Sequence, residues 1–192
     1  MSLIQLLPIG EADVSLLGPL APVFAAEFGA PSEVLATKLD PSPSLHPERQ
    51  QYLSTDILRR MQSYLVPSSG RLLGITSLDL YIPILTFVFG EAQLDGPCAV
   101  VSTHRLRQEF YGLPPDNELL QVRLVKEAVH ELGHTLGLTH CDDYRCAMAA
   151  SYTVELIDLK GSSLCGDCRA RALATLSRRR GVEPKVIQPC RD

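Results

Sequence analysis

Read by hydrophobic period alone, the first half of the chain alternates short apolar runs with helical stretches. "LIQLLPI" (3–9) is nearly continuous in apolar residues and reads as a buried strand, and a helix is expected within 11–28, distorted near Gly18 and Pro19 or at Pro22. "SEVLATKLD" (32–40) predicts a second strand. From Pro47 to Leu65 the apolar positions Leu53, Ile57, Leu58, Met61, Tyr64 and Leu65 keep helical spacing, which predicts a helix backing the sheet. "RLLGITSLDLYI" (71–82) reads as a third strand. "LTFVFGEAQ" (85–93) and "CAVVSTHRL" (98–106) then flank the turn signal "LDGP" as a hairpin or a short excursion would.

The second half changes character. After Pro114 and Pro115, Asp116 suits an N-cap, and Leu120, Leu124, Val125, Ala128, Val129, Leu132 and Leu136 share one face of a long amphipathic helix. Lys126 and Glu127 fall on the opposite face, where charge is expected to meet solvent. Beyond this helix the rhythm breaks into a cysteine-marked loop, followed by short helices near Val154–Lys160 and Asp167–Arg179.

Composition narrows the class. The chain has 192 residues, 45% of them hydrophobic, enough for one sizeable core but not for two ordinary catalytic domains. A formal net charge of −4 argues against nucleic acid or anionic membranes as partners, and the run Arg178, Arg179, Arg180 reads as a solvated helix end. "MSLIQLLPIGEADV" has no basic flank and no small-residue cleavage site, so it reads as a first strand rather than a signal peptide. No segment reaches the roughly 18 uninterrupted apolar residues of a membrane span. The expectation is a soluble cytoplasmic protein, a monomer with neither membrane nor nucleic-acid contacts.

Chemistry concentrates in "HELGHTLGLTHCDDYRCAM" (130–148). Side chains four apart on a helix share a face, so His130 and His134 can direct imidazole nitrogens at one ion while Glu131 is turned about 100° away. That leaves Glu131 beside a metal without binding it, able to take a proton from a water and return it to a leaving amine. Gly137 can end the helix in a positive-φ conformation and swing the chain back, which brings His140 in as a third ligand. Three neutral imidazoles leave a fourth zinc position open, the mark of a catalytic rather than a structural ion.

A second ion is predicted from the cysteines. Cys141 and Cys146 precede the C-x-x-C pair Cys165 and Cys168, and two such pairs across a loop suit a closed tetrahedral thiolate zinc site better than disulfides in a chain of this length. Neighbouring side chains of an extended segment point to opposite sides, so His140 can serve one site and Cys141 the other. Two Zn2+ per chain are expected, back to back.

These residues resemble the metzincin metallopeptidases: H-E-x-x-H-x-x-G-x-x-H at 130–140, then Met148. With the four cysteines the pattern is similar to the archaemetzincin family. The resemblance implies an α+β fold, a twisted mixed sheet with a backing helix and an active-site helix. It implies an upper subdomain over 1–137, a smaller lower subdomain over 138–192, and a cleft between them in one compact catalytic unit. It implies a catalytic zinc on His130, His134 and His140, Glu131 as general base and acid, and a structural zinc on Cys141, Cys146, Cys165 and Cys168. Met148 would occupy the Met-turn beneath the imidazoles; by residue type alone it reads as core packing. An extended substrate would lie along an antiparallel edge strand, for which "LTFVFGEAQ" is the candidate. Some metzincins carry a tyrosine two residues after that methionine; here the position is Ala150, and Tyr152 follows.

The expected activity is zinc-dependent hydrolysis of peptide bonds in a peptide or protein substrate. The alternatives are a selective zinc amidohydrolase and a zinc-stabilised peptide-binding module without turnover. Cys98 reads as core, Cys190 as a free thiol, and His46 and His104 as ordinary loop or hydrogen-bonded residues.

Overall fold

The structure is a computed structural model that describes residues 3–66 and 69–180. Five strands form the main sheet: β1 (Leu3–Ile9), β2 (Ser32–Val34), β5 (Ser69–Thr76), β7 (Gly90–Ala92) and β8 (Cys98–Ser102), in the order β2-β1-β5-β8-β7. All neighbours are parallel except β7, which runs antiparallel to β8 at the sheet edge. β1 and β8 are apolar along nearly their whole length, and β5 at Leu72, Leu73 and Ile75, because both faces of a parallel sheet are covered. Three short strands, β3 (Leu45–His46), β4 (Gln51–Leu53) and β6 (Leu80–Tyr81), form a separate small sheet.

Helix α1 (Leu20–Phe28) and helix α3 (Asn117–Thr135) cover one face of the main sheet, and α2 (Ser54–Met61) covers the other. Below α3 lie α4 (Val154–Leu159) and α5 (Gly166–Arg180). One apolar cluster runs from Ile4 and Leu6 of β1 through Phe24 and Phe28 of α1 and Leu124 and Leu132 of α3 to Ala172 and Leu176 of α5. A second, smaller cluster joins Leu7 and Ile9 to Ile57 and Met61 of α2. The α+β class and the mixed sheet with its helices are as the resemblance implied.

Several elements are shorter than their patterns suggested. The helix expected from Pro47 begins only at Ser54, because Gln51 is held by Asp79 and the Thr86 carbonyl, and Tyr52 N–H donates to Asp79 O; this cross-chain pairing pulls 51–53 into β4. In "SEVLATKLD" only Ser32–Val34 forms a strand, with one further bridge at Leu39. "LTFVFGEAQ" forms a strand only over Gly90–Ala92, with one further bridge from Val88 to Leu80 of β6, although it does lie at the edge and does form a hairpin with β8. Among the described residues no helix is long and apolar enough to cross a membrane. Cys190 lies outside the described residues, and Arg178 to Arg180 close α5.

Candidate metal centres and cleft

Asp116 caps α3 by accepting from Leu119 N–H at 2.9 Å, as its position predicted. The other end closes in a Schellman arrangement: Gly137 N–H donates to His134 O, Leu138 N–H donates to Gly133 O, and Gly137 sits at φ 81°. Arg71 of β5 adds two bonds to Thr135, one to its hydroxyl and one to its carbonyl, holding the helix end against the sheet. Asp95 N–H, in the β7–β8 hairpin turn, donates to His134 O at 2.9 Å. Helix end and edge strand are therefore fixed to one another.

The chain reversal at Gly137 brings His140 back to His130 and His134. One nitrogen from each of the three rings falls within 4.8 Å of the others. His130 and His140 stack with centroids 5.4 Å apart, and His134 meets both edge-on. His130 Nδ1 lies 2.8 Å from Ala147 O and His134 Nδ1 lies 2.7 Å from Leu138 O. A carbonyl only accepts, so both Nδ1 atoms carry the proton and both Nε2 atoms present lone pairs, 3.0 Å apart. Two lone pairs at that distance repel unless they share a cation. Zinc–nitrogen bonds of about 2.05 Å in a tetrahedron put donors ~3.3 Å apart, so this donor set fits zinc.

Burial first, then the nearby Lys160 cation, holds His130 well below the usual imidazole range; burial also lowers His134. Both are thus neutral, as a metal ligand must be. Glu131 is displaced in the opposite direction: burial, with Glu127 and Glu91 adding to it and Lys160 opposing, raises its carboxyl well above the usual range. A carboxyl so placed is a weak acid and a correspondingly strong base, and a nearby dication would bring it back toward ionisation.

The four cysteines also converge, with all sulfurs within 4.8 Å. Cys141 Sγ and Cys165 Sγ are 3.9 Å apart, far beyond a disulfide bond and close to the ~3.8 Å expected for two thiolates on one zinc. Backbone donors already face these sulfurs: Met148 N–H and Cys165 N–H both point at Cys146 Sγ. Cys165 sits at the start of α5, and the Cys168 N–H lowers its thiol, whereas burial raises Cys146 and Cys168.

Met148 lies between the two centres. It is fully buried, its carbonyl accepts from Cys141 N–H, and its sulfur rests against Gly133, where any Cβ on the histidine helix would collide with it. Packing and position under the histidine helix are therefore one and the same role.

In front of the histidines opens a cleft of about 560 Å³. Its upper wall is β7 and the segment leading to it, with Leu85, Phe87 and Phe89; its floor is His130, Glu131 and His134; its far wall is Ala150, Ser151 and Tyr152. Tyr152 is 71% exposed at the mouth. Glu91 of β7, also in the cleft lining, accepts from Ser54 and Thr55 at the N-terminus of α2.

Three placements were not foreseen. Lys126 and Glu127, expected at a solvent face, are buried, because the 157–160 segment crosses that side of α3. Lys126 Nζ donates to the Ile157 and Asp158 carbonyls, and Glu127 pairs with Lys160 at 2.7 Å. Gly90 meets Glu131 at close range. A charged residue at helix spacing carries no sign of being paired inside, and only a tertiary partner reveals it. His46 and His104 lie outside both clusters, and Cys98 is buried in β8 with its thiol pushed up to about 11.

Peptidase family M54 matches residues 49–174. The archaemetzincin of Methanocaldococcus jannaschii is 41% identical over 162 residues, 84% of this chain and 87% of that protein. The crystal structure of archaemetzincin from Methanopyrus kandleri superposes with a TM-score of 0.79 at 34% identity, covering 92% of this chain and 97% of that one. A structure of a zinc-dependent peptidase from Methanocorpusculum labreanum superposes at 0.78 with 32% identity, covering 88% and 99%.

Proposed function

Because this chain belongs to peptidase family M54, the archaemetzincins, and is a zinc metallopeptidase, we propose that His130, His134 and His140 hold its hydrolytic zinc and that Glu131 is its general base and acid. Cys141, Cys146, Cys165 and Cys168 hold a second, structural zinc in this reading. The observation that carries it is the pair of Nε2 lone pairs 3.0 Å apart, with both Nδ1 protons committed to carbonyls and a third imidazole stacked alongside.

A zinc bound there supplies Lewis acidity to the scissile carbonyl and to a water. Glu131 does the proton work. Its buried carboxylate accepts the water's proton and passes it to the departing amine, so one group serves as base and then as acid. The carbonyls of Ala147 and Leu138 keep two imidazoles in the tautomer that leaves Nε2 free. Among the described residues β7 pairs with no strand besides β8, and an extended peptide laid along its outer edge would gain backbone hydrogen bonds directly over the histidines. Leu85, Phe87 and Phe89 would then meet its side chains, favouring apolar over charged ones beside the cut. The division near Gly137 into 1–137 and 138–192 follows the same plan, with the cleft at the junction.

The test is a diverse peptide library offered to zinc-loaded wild type and to Glu131→Gln. Wild type should cleave; the variant should keep both ions and fall by about 10²–10⁴-fold. Persistent cleavage by the variant would remove Glu131 from the mechanism.

A further inference from the structure

Lys160 follows the last residue of α4, and its side chain is 1% exposed. A lysine so deeply buried needs a counter-charge, and it has one: Nζ lies 2.7 Å from Glu127 Oε1, whose side chain is 4% exposed. The same ammonium donates to Ala149 O at 3.4 Å and lies 3.4 Å from His130 Nδ1. It therefore stands where three parts of the centre meet: the histidine helix one turn before Glu131, the turn carrying Met148, and the ring of His130. Ala147 O, which fixes the His130 tautomer, belongs to the turn that Lys160 holds from its other end.

The surroundings suit a clamp. Arg123, one turn before Glu127, makes a two-pronged contact with Asp158, and Lys126 caps the carbonyls of Ile157 and Asp158. These bonds fix the backbone of 157–158 against α3 and leave Lys160 little freedom. Arg123 and Lys126 do not reach the 147–149 turn, and Lys160 alone among these three does.

On the reading that the three histidines hold the hydrolytic zinc, we propose that Lys160 is a positioning residue for that ion: paired with Glu127, it fixes the 147–149 turn and with it the orientation of the His130 ring. The ammonium does not touch the substrate cleft. It acts through the turn, whose Ala147 carbonyl is the partner of the ring's outer nitrogen.

Replacing Lys160 alone would strand a buried carboxylate and threaten the fold. The informative protein is Lys160→Met/Glu127→Met, which removes both charges and keeps side-chain volume, beside His130→Ala as a control. Each full-length protein is stripped by chelator and titrated with cobalt(II), reading the visible d–d bands of the histidine site and the thiolate charge-transfer band of the cysteine site. The double variant should keep the thiolate band and its unfolding midpoint, yet bind cobalt at the histidines at least tenfold more weakly with altered d–d bands. A smaller loss, or unaltered bands, would overturn the role of Lys160 while His130→Ala still loses the ion. If His130→Ala binds as well as wild type, the three-histidine reading itself falls, and the clamp with it.

Discussion

The α-carbon of Gly90 faces the side chain of Glu131 so closely that a Cβ built there would lie 2.7 Å from both Glu131 Cγ and Oε1. The same Cβ would lie 2.7 Å from the Val100 carbonyl, which is locked in the β7–β8 ladder and cannot retreat. Edge strand and proposed base are thus fitted to each other at a point where only glycine allows contact. Gly90→Ala should leave both metal sites filled, because residue 90 is not among the proposed ligands. Turnover should drop at least tenfold, as a carboxylate displaced by a few tenths of an ångström loses its alignment. Steady-state kinetics with metal analysis on the same sample checks this.

Gly133→Ala separates local propensity from packing. Alanine favours a helix interior by about 1 kcal/mol over glycine, yet here its methyl would strike the sulfur of the fully buried Met148. We expect a net loss of stability of about 1–3 kcal/mol, the usual cost of overpacking, and weaker ion binding at the histidines. Thermal unfolding and chelator competition read the two effects separately. A stabilised variant would show that Met148 has room to move.

The two centres share backbone. Cys141 N–H donates to Met148 O, Cys146 Sγ accepts from Met148 N–H, and His140 immediately precedes Cys141. Cys165→Ser should therefore loosen His140 and weaken zinc binding at the histidines by about tenfold, although residue 165 is no ligand there. An unchanged affinity would mean that the sites are independent.

Metal-free protein should show opposed proton linkages. Burial lowers the folded-state values of His130 and His134, so below about pH 6.5 the unfolded chain takes up protons first; stability is present above that value and is lost as pH falls. Glu131 acts the other way: its folded-state value is raised, so its contribution is present below about pH 4.5 and is lost as pH rises through the folded value. Between pH 5 and 6.5 the two partly cancel. Metal-free Glu131→Gln keeps only the histidine part, and its stability should climb with pH more steeply than wild type, by about 1.4 kcal/mol per pH unit for one proton. Denaturant titrations across that window measure the slopes; parallel slopes would contradict the assignment.

The features legible in the sequence are local or strictly spaced. The Asp116 cap, the long face of α3, the reversal at Gly137 and the convergence of the three histidines all follow from helix period and glycine stereochemistry over 25 residues. The cysteine group was legible because C-x-x-C fixes a spacing that chance rarely supplies. What escaped was set by distant chain. The segment 47–53 kept a helical rhythm but was drawn into β4 by Asp79 and Thr86, and Lys126, Glu127 and Lys160 are buried only because 157–160 crosses α3. Gly90 announced nothing by its type; its meaning lies in the carboxylate opposite.

The proposed hydrolytic centre requires His140 to join His130 and His134 around one ion. Native mass spectrometry of zinc-saturated wild type and His140→Ala counts the ions directly. Two zincs on wild type and one on the variant, with the thiolate ion retained, is the predicted result; a His140→Ala protein that still carries two would contradict it.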